Sequence, residues 1–205
     1  MSKNMNYEVT LKEAQERFSK KDLASIAELS GAVLNPDGAL ELCFLGQVYR
    51  VTPDGKVSLA NDTQEVGLTA KILLLHYLAQ AQGIPVRDKL ISFKELPGGT
   101  IYIEPFTNRA IRPLVSLFGE NPSELLTTGK KLGGEPAALG DISITVRALP
   151  NVPVTLVLWA GDDEFPPSGN ILFDISAPQF LPTEDYAVLA SLLVYELKSL
   201  KTNIC

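Results

Sequence analysis

Two near-identical turns limit what residues 31–60 can become. Asn35-Pro-Asp-Gly38 and Thr52-Pro-Asp-Gly55 each put proline where φ must be preset and glycine where left-handed backbone is required. Between them lie Ala39–Phe44 and Gln47–Val51, parted by Leu45-Gly46, and Lys56–Leu59 follows the second turn. Short apolar runs separated by tight turns predict a meander of three to four antiparallel strands. The repeated turn follows from hairpin chemistry and needs no gene duplication.

Helical patterns flank this meander. Tyr7–Glu28 carries an imperfect apolar stripe (Leu11, Ala14, Phe18, Leu23, Ile26, Ala27), with a break near Ser19–Asp22 that can divide it, and Gly31 ends it. Glu65–Gln82 is apolar on most sides, as a helix at the centre of a core is, and is stopped by Gly83 and Pro85. Its polar stripe holds Glu65, Thr69, His76 and Gln80. Around Pro97-Gly98-Gly99, Phe93 and Ile101–Ile103 predict short extended pieces. Arg109–Phe118 predicts a short helix disturbed or started by Pro113, and Asn121-Pro-Ser-Glu124 starts another that ends near Gly129.

The last third is clearer. Ile142, Ile144 and Val146 alternate with polar residues as in a half-buried strand. Pro150-Asn151 turns this strand into Val152–Trp159, and Ile171–Ile175 supplies a third. Thr183 is placed to cap a closing helix with Tyr186, Leu189, Ala190, Leu193 and Leu197 at helical spacing. Strands and helices fall in separate runs, so the prediction is an α+β fold, antiparallel meanders covered by apolar helices. It is read as a single domain over 1–205: an N-terminal helical segment (1–30), the meander (31–60), a mainly helical middle (61–140), and strands plus closing helix (141–205). Leu42, Phe44, Leu73, Leu74, Leu78, Ile144, Val146, Leu156, Leu158, Leu189 and Leu193 are the expected core.

Composition bounds the function. With 45% hydrophobic and 20% charged residues the chain is globular, and its net charge of -6 argues against a general nucleic-acid binder, which needs a basic face. Two cysteines, Cys43 and Cys205, supply neither a disulfide framework nor a metal site, so no metal and no cofactor is expected. Cys43 is read as a buried apolar filler. The polar N-terminus lacks a signal-peptide core, and Leu68–Ala81, with Lys71 and His76, is too short to cross a bilayer. The expectation is a soluble cytoplasmic protein with no membrane partner.

The segment most like a site is Trp159-Ala-Gly-Asp-Asp-Glu-Phe-Pro-Pro167. Asp162, Asp163 and Glu164 stand between Trp159 and Phe165, and carboxylates desolvated by aromatics can have raised pKa values. They could serve as general acid and base, hold a hard cation, or bind a cationic partner; the commoner origin of such a run is a solvated hairpin loop. Trp159 and Phe165 are expected to be largely buried, with at least one of the acids facing a concave surface. His76, the only histidine, has no nucleophile in a recognisable setting. Arg109 and Arg112, three apart on a presumed helix, could meet an anionic ligand or the acidic loop. Gly129-Lys-Lys-Leu-Gly-Gly134 lacks the order of a phosphate loop and reads as a helix C-terminus with its cap.

Several segments together resemble a family of functionally unassigned proteins of anaerobic bacteria and archaea. They are Lys131-Leu-Gly-Gly134, Gly140-Asp141, the strand ending at Pro150, Gly161-Asp-Asp-Glu-Phe-Pro166 with Leu172-Phe-Asp174, and Leu181-Pro-Thr-Glu-Asp185. Some relatives carry an added iron–sulfur module of the kind found on corrinoid proteins, so the resemblance implies a setting in anaerobic one-carbon or corrinoid metabolism. This chain, with two cysteines, cannot carry that cluster. The resemblance transfers no catalytic residues. The expected function is a non-enzymatic accessory domain binding a small molecule or a protein partner. The rival is a small hydrolase or lyase that uses the acidic loop, with His76 or Arg109 assisting.

Overall fold

The computed structural model describes residues 2–202, with side chains from Tyr7 onward. Its contacts group the chain into two compact units. The first takes in the chain up to Pro85 together with Leu149–Asn151 and Gln179–Leu181; the second holds Val86–Ala148, Val152–Pro178 and the chain from Pro182 on.

In the first unit α1 (Ser2–Ser19) and α2 (Leu23–Ser30) are separate helices, parted at the expected break. Asp22 causes the restart. Its carboxylate accepts the Ser25 N–H at 2.8 Å and the Ser25 hydroxyl at 2.8 Å, capping the orphan donors of α2. The sheet follows in strict sequence order, β1 (Val33–Leu34), β2 (Leu40–Phe44), β3 (Gln47–Val51) and β4 (Val57–Leu59), each antiparallel to the next. The twin turns are built alike: Gly38 N–H donates to Asn35 O at 2.9 Å and Gly55 N–H to Thr52 O at 2.8 Å, with φ of 84° and 78° at the glycines.

Alternation along β2 buries Leu40, Leu42 and Phe44 and leaves Cys43 exposed. The expected buried cysteine is therefore corrected: a strand with one apolar face cannot turn neighbouring residues the same way. Cys205 lies outside the described residues. Helix α3 (Leu68–Gln80) is central to this unit, burying Ile72, Leu73, Leu74, Leu75, Tyr77 and Leu78. The Tyr77 hydroxyl donates to Ser30 O at 2.5 Å and accepts the Asn151 N–H at 3.2 Å, so its polar tip is satisfied at zero exposure.

The second unit holds an antiparallel sheet ordered β5 (Leu90–Ser92), β9 (Ser168–Asp174), β8 (Val152–Trp159), β7 (Ile142–Leu149), β6 (Glu135–Ala137). Its elements are β5 (Leu90–Ser92), a helix running from α4 (Ile103–Phe106) through Thr107–Ile111 into α5 (Arg112–Phe118), and α6 (Ser123–Lys130). Then come β6 (Glu135–Ala137), β7 (Ile142–Leu149), β8 (Val152–Trp159), β9 (Ser168–Asp174) and α7 (Thr183–Thr202). Strand β8 has buried residues on both faces from Val154 to Leu158, which suits its central place.

Three expectations are corrected here. Ile101–Ile103 is not extended, since the chain turns at Gly98 and Gly99 and enters α4 at Ile103. Strand β6 was not foreseen in the sequence. Thr183 is the first residue of α7, but its hydroxyl donates to Pro97 O at 2.6 Å instead of capping the helix. All eleven expected core residues are buried.

The helix through Arg109 contains a wide turn, Thr107–Ile111, in which the Arg112 N–H reaches back to Thr107 O. Pro113 supplies the reason. Proline has no N–H to give and its ring crowds the carbonyl four residues back, so the ladder opens by one residue before it.

Candidate functional site

The acidic turn joins β8 to β9, and its geometry differs from a desolvated acid site. Asp162 Oδ1 accepts the Phe165 N–H at 2.7 Å and the Glu164 N–H at 2.9 Å, while the Asp162 N–H donates to Phe165 O at 2.9 Å. The Phe165 and Glu164 amides hold the Asp162 carboxyl below the ordinary aspartate range. It is an ionised carboxylate locking its own turn. Asp163 and Glu164 are exposed beside it.

Both aromatics differ from expectation. Trp159 is 41% exposed and Phe165 67%. Trp159 shares a face with buried Thr155 and Val157, so its exposure comes from its place as the last residue of β8, where the cover over that face stops. The strand end is held from the side: Ala160 N–H donates to Asp141 Oδ2 at 2.8 Å and Asp141 N–H to Leu158 O at 3.0 Å. Gly140, at φ 55°, lets this bracket close, because a Cβ there would lie 2.7 Å from Leu158 O and 3.3 Å from the Trp159 ring. Gly161, the residue after Ala160, sits where a Cβ would be 2.8 Å from the ring of Pro167 at the loop's other end. The turn is hydrogen-bonded within itself, acidic and outward-facing.

Arg109 and Arg112 lie on and just after the wide turn, both exposed, and among the described residues neither pairs with Asp162, Asp163 or Glu164. The inner side of the same helix borders a cavity of about 490 Å³ lined by Ser92, Phe93, Glu104, Phe106, Thr107 and Asn170, among others. Phe93 and Phe106 stack at 4.0 Å between ring centroids.

His76 belongs to the first unit. It is half-buried on α3 and lines a cleft of about 450 Å³ between α1 and α3, together with Ala14, Arg17, Lys20, Lys21, Ala79 and Gln80. The eight sequence candidates thus fall into three places: the acidic turn with its aromatics, the wide helical turn, and the α1–α3 cleft.

Two features went unnoticed in the sequence. Arg17, Lys20 and Lys21 are brought opposite His76 only by helix packing, although the spacing Arg-x-x-Lys-Lys puts Arg17 and Lys20 on neighbouring turns of one face. Asp174, 2% exposed, ends β9 and accepts from Ser176 N–H at 2.9 Å, Arg87 N–H at 3.1 Å and Lys89 N–H at 3.2 Å, as well as from the Ser176 hydroxyl at 2.5 Å. The glycine-rich Gly129–Gly134 segment closes α6, with the Gly134 N–H on Gly129 O at 3.0 Å, as its helix-ending reading predicts.

Among the described residues no three His, Cys, Asp or Glu side chains converge as a metal site requires, and no helix is long and apolar enough to cross a membrane. No curated protein and no solved structure matches the chain. The family model for a domain of unknown function (DUF3786) matches residues 22–196, from the cap of α2 to the last turns of α7, and the chain belongs to that family.

Proposed function

We propose that this chain is a non-enzymatic accessory domain that binds a protein partner through the β8–β9 turn. The carrying observation is that a turn locked by its own Asp162 holds Trp159 and Phe165 out to solvent beside two free carboxylates. Aromatic anchors on a preorganised loop bind with little entropy loss, and such residues dominate interface energetics. Asp163 and Glu164 would favour a partner with a basic rim. The resemblance adds the setting, anaerobic one-carbon or corrinoid metabolism, in which such a domain would serve a larger assembly.

The test is a photo-crosslinking amino acid placed at Phe165, with one at exposed Val48 as control, in cells that make the protein. A defined adduct should form from position 165 only, and the purified partner should bind Trp159→Ala and Phe165→Ala variants about tenfold or more weakly. Equal adducts from both positions, or unchanged affinity, would sink the reading.

The cavity beside the wide helical turn favours a second reading, capture of a small organic ligand. A thermal-shift screen against corrinoids, nucleotides and divalent ions addresses it, and a shift abolished by Thr107→Val would support it. The acid–base enzyme loses its motive at the acidic turn, where Asp162 is held ionised by backbone amides and both aromatics are exposed.

A further inference from the structure

We infer that the cleft between α1 and α3 is a binding site for a small multivalent oxyanion, separate from the β8–β9 turn and from the cavity of the second unit. None of the seven residues lining it is acidic, and Arg17, Lys20, Lys21 and His76 all carry nitrogen donors or a positive charge. The chain as a whole has 24 acids to 18 bases, so a concave surface stripped of carboxylates runs against its composition.

The architecture makes the room. Ala14 on α1 and Ala79 on α3 are small enough at the helix contact to leave a depression of about 450 Å³, ample for a diphosphate or tricarboxylate. The long side chains stand around it. Arg17 and Lys20 are exposed, and among the described residues no ion pair or hydrogen bond holds either one. Lys21 is fixed at the rim by donating to Ala79 O at the end of α3.

The C-terminal ends of α1 and α3 both lie at the cleft, and their macrodipoles favour Arg17, in the last turn of α1, and Lys21, which donates to Ala79 O. The dipoles do not by themselves bring Lys20 and His76 into the same hollow. A guanidinium fork with a mobile ammonium three residues on suits a phosphoryl or carboxylate group, where hydrogen bonds between opposite charges are the strong ones. The matched family segment begins at residue 22, so Ala14, Arg17, Lys20 and Lys21 precede it.

Isothermal titration of the full chain with sodium pyrophosphate and, separately, with citrate tests this at low ionic strength. Saturable binding is expected, weakening steeply as salt screens the cleft. The Arg17→Ala/Lys20→Ala double variant, altered only at exposed positions, should fold with the same melting temperature and bind about tenfold or more weakly. Lys94→Ala, in the second unit, should bind as the parent does. Pyrophosphate binding with citrate inert assigns a phosphoryl ligand, and equal binding of both assigns a carboxylate-tolerant oxyanion site. Absence of heat or chemical-shift change with either anion at about 10 mM overturns the proposal. So does a double variant that binds like the parent.

Discussion

Replacing Asp174 with asparagine should destabilise the second unit by about 2–3 kcal/mol near neutral pH, and the loss should fade on acidification. Oδ1 receives Ser176 N–H, Ser176 Oγ–H and Arg87 N–H, while Oδ2 receives Lys89 N–H. An asparagine can keep its oxygen toward the first three donors. Its NH2 group then faces the Lys89 N–H, which loses an acceptor and meets a second donor. An orphaned buried donor costs about 1–3 kcal/mol, and the three remaining bonds fall from charge-assisted to neutral strength. Burial pushes the Asp174 carboxyl up, but the bonds from Ser176, Arg87 and Lys89 together outweigh it and hold the group below its ordinary value. A depressed folded pKa gives stability that is present above the unfolded value, near 3.9, and lost as pH falls through the folded one. Urea unfolding of parent and variant at pH 7 and then stepwise into the acid range measures this. The gap should be largest at neutral pH and close as Asp174 takes up its proton. Equal stabilities at pH 7, or a gap that does not change with pH, would refute the argument.

Two further perturbations test the fold. Leu74→Ala empties a fully buried position on α3 and should cost about 2–5 kcal/mol in chemical denaturation; a change below about half a kcal/mol would mean α3 is not central. Gly140→Ala forces a Cβ to 2.7 Å from Leu158 O at φ 55° and should cost about 2–4 kcal/mol, with faster amide exchange at Ala160 as the bracket on the strand end opens; unchanged melting would contradict the close approach.

What could be read in the sequence was what neighbouring residues decide among themselves. The Pro-Asp-Gly turns carry their conformation in four residues, and the α3 and α7 cores show in the spacing of leucines, so the antiparallel α+β architecture was legible. Cys43 misled because the facing of strand residues is set by pairing, and Trp159 and Phe165 because one ends a strand and the other lies in the loop after it. Trp159 follows Val157 on a face that is buried along the rest of β8, and hydrophobicity alone does not show where that cover stops. Asp162 looked like an acid needing a use, yet its partners are the amides two and three residues on, a local turn chemistry that the run of acids obscured. Asp174 stayed hidden because two of its donors, Arg87 and Lys89, come from 87 and 85 residues upstream. The basic cleft needs α1 laid against α3, so no local pattern announced it.

The wide turn before Pro113 also governs which changes of length the chain can absorb. Phe106, Ala110, Leu114 and Phe118 are all fully buried, a stripe repeating every four residues. In ordinary α geometry each step of four overshoots a full turn by about 40°, so such a stripe would wind off the core face. The Thr107–Ile111 turn rotates less per residue and winds it back. Deleting one residue there would restore an unbroken ladder as far as the proline and swing Leu114 and Phe118 away from the sheet. Point substitutions at exposed Asn108 or Arg109 leave that phase alone. Drift in this stretch of the family should therefore run through side-chain identity at fixed length, with gains and losses of residues confined to the loops on either side.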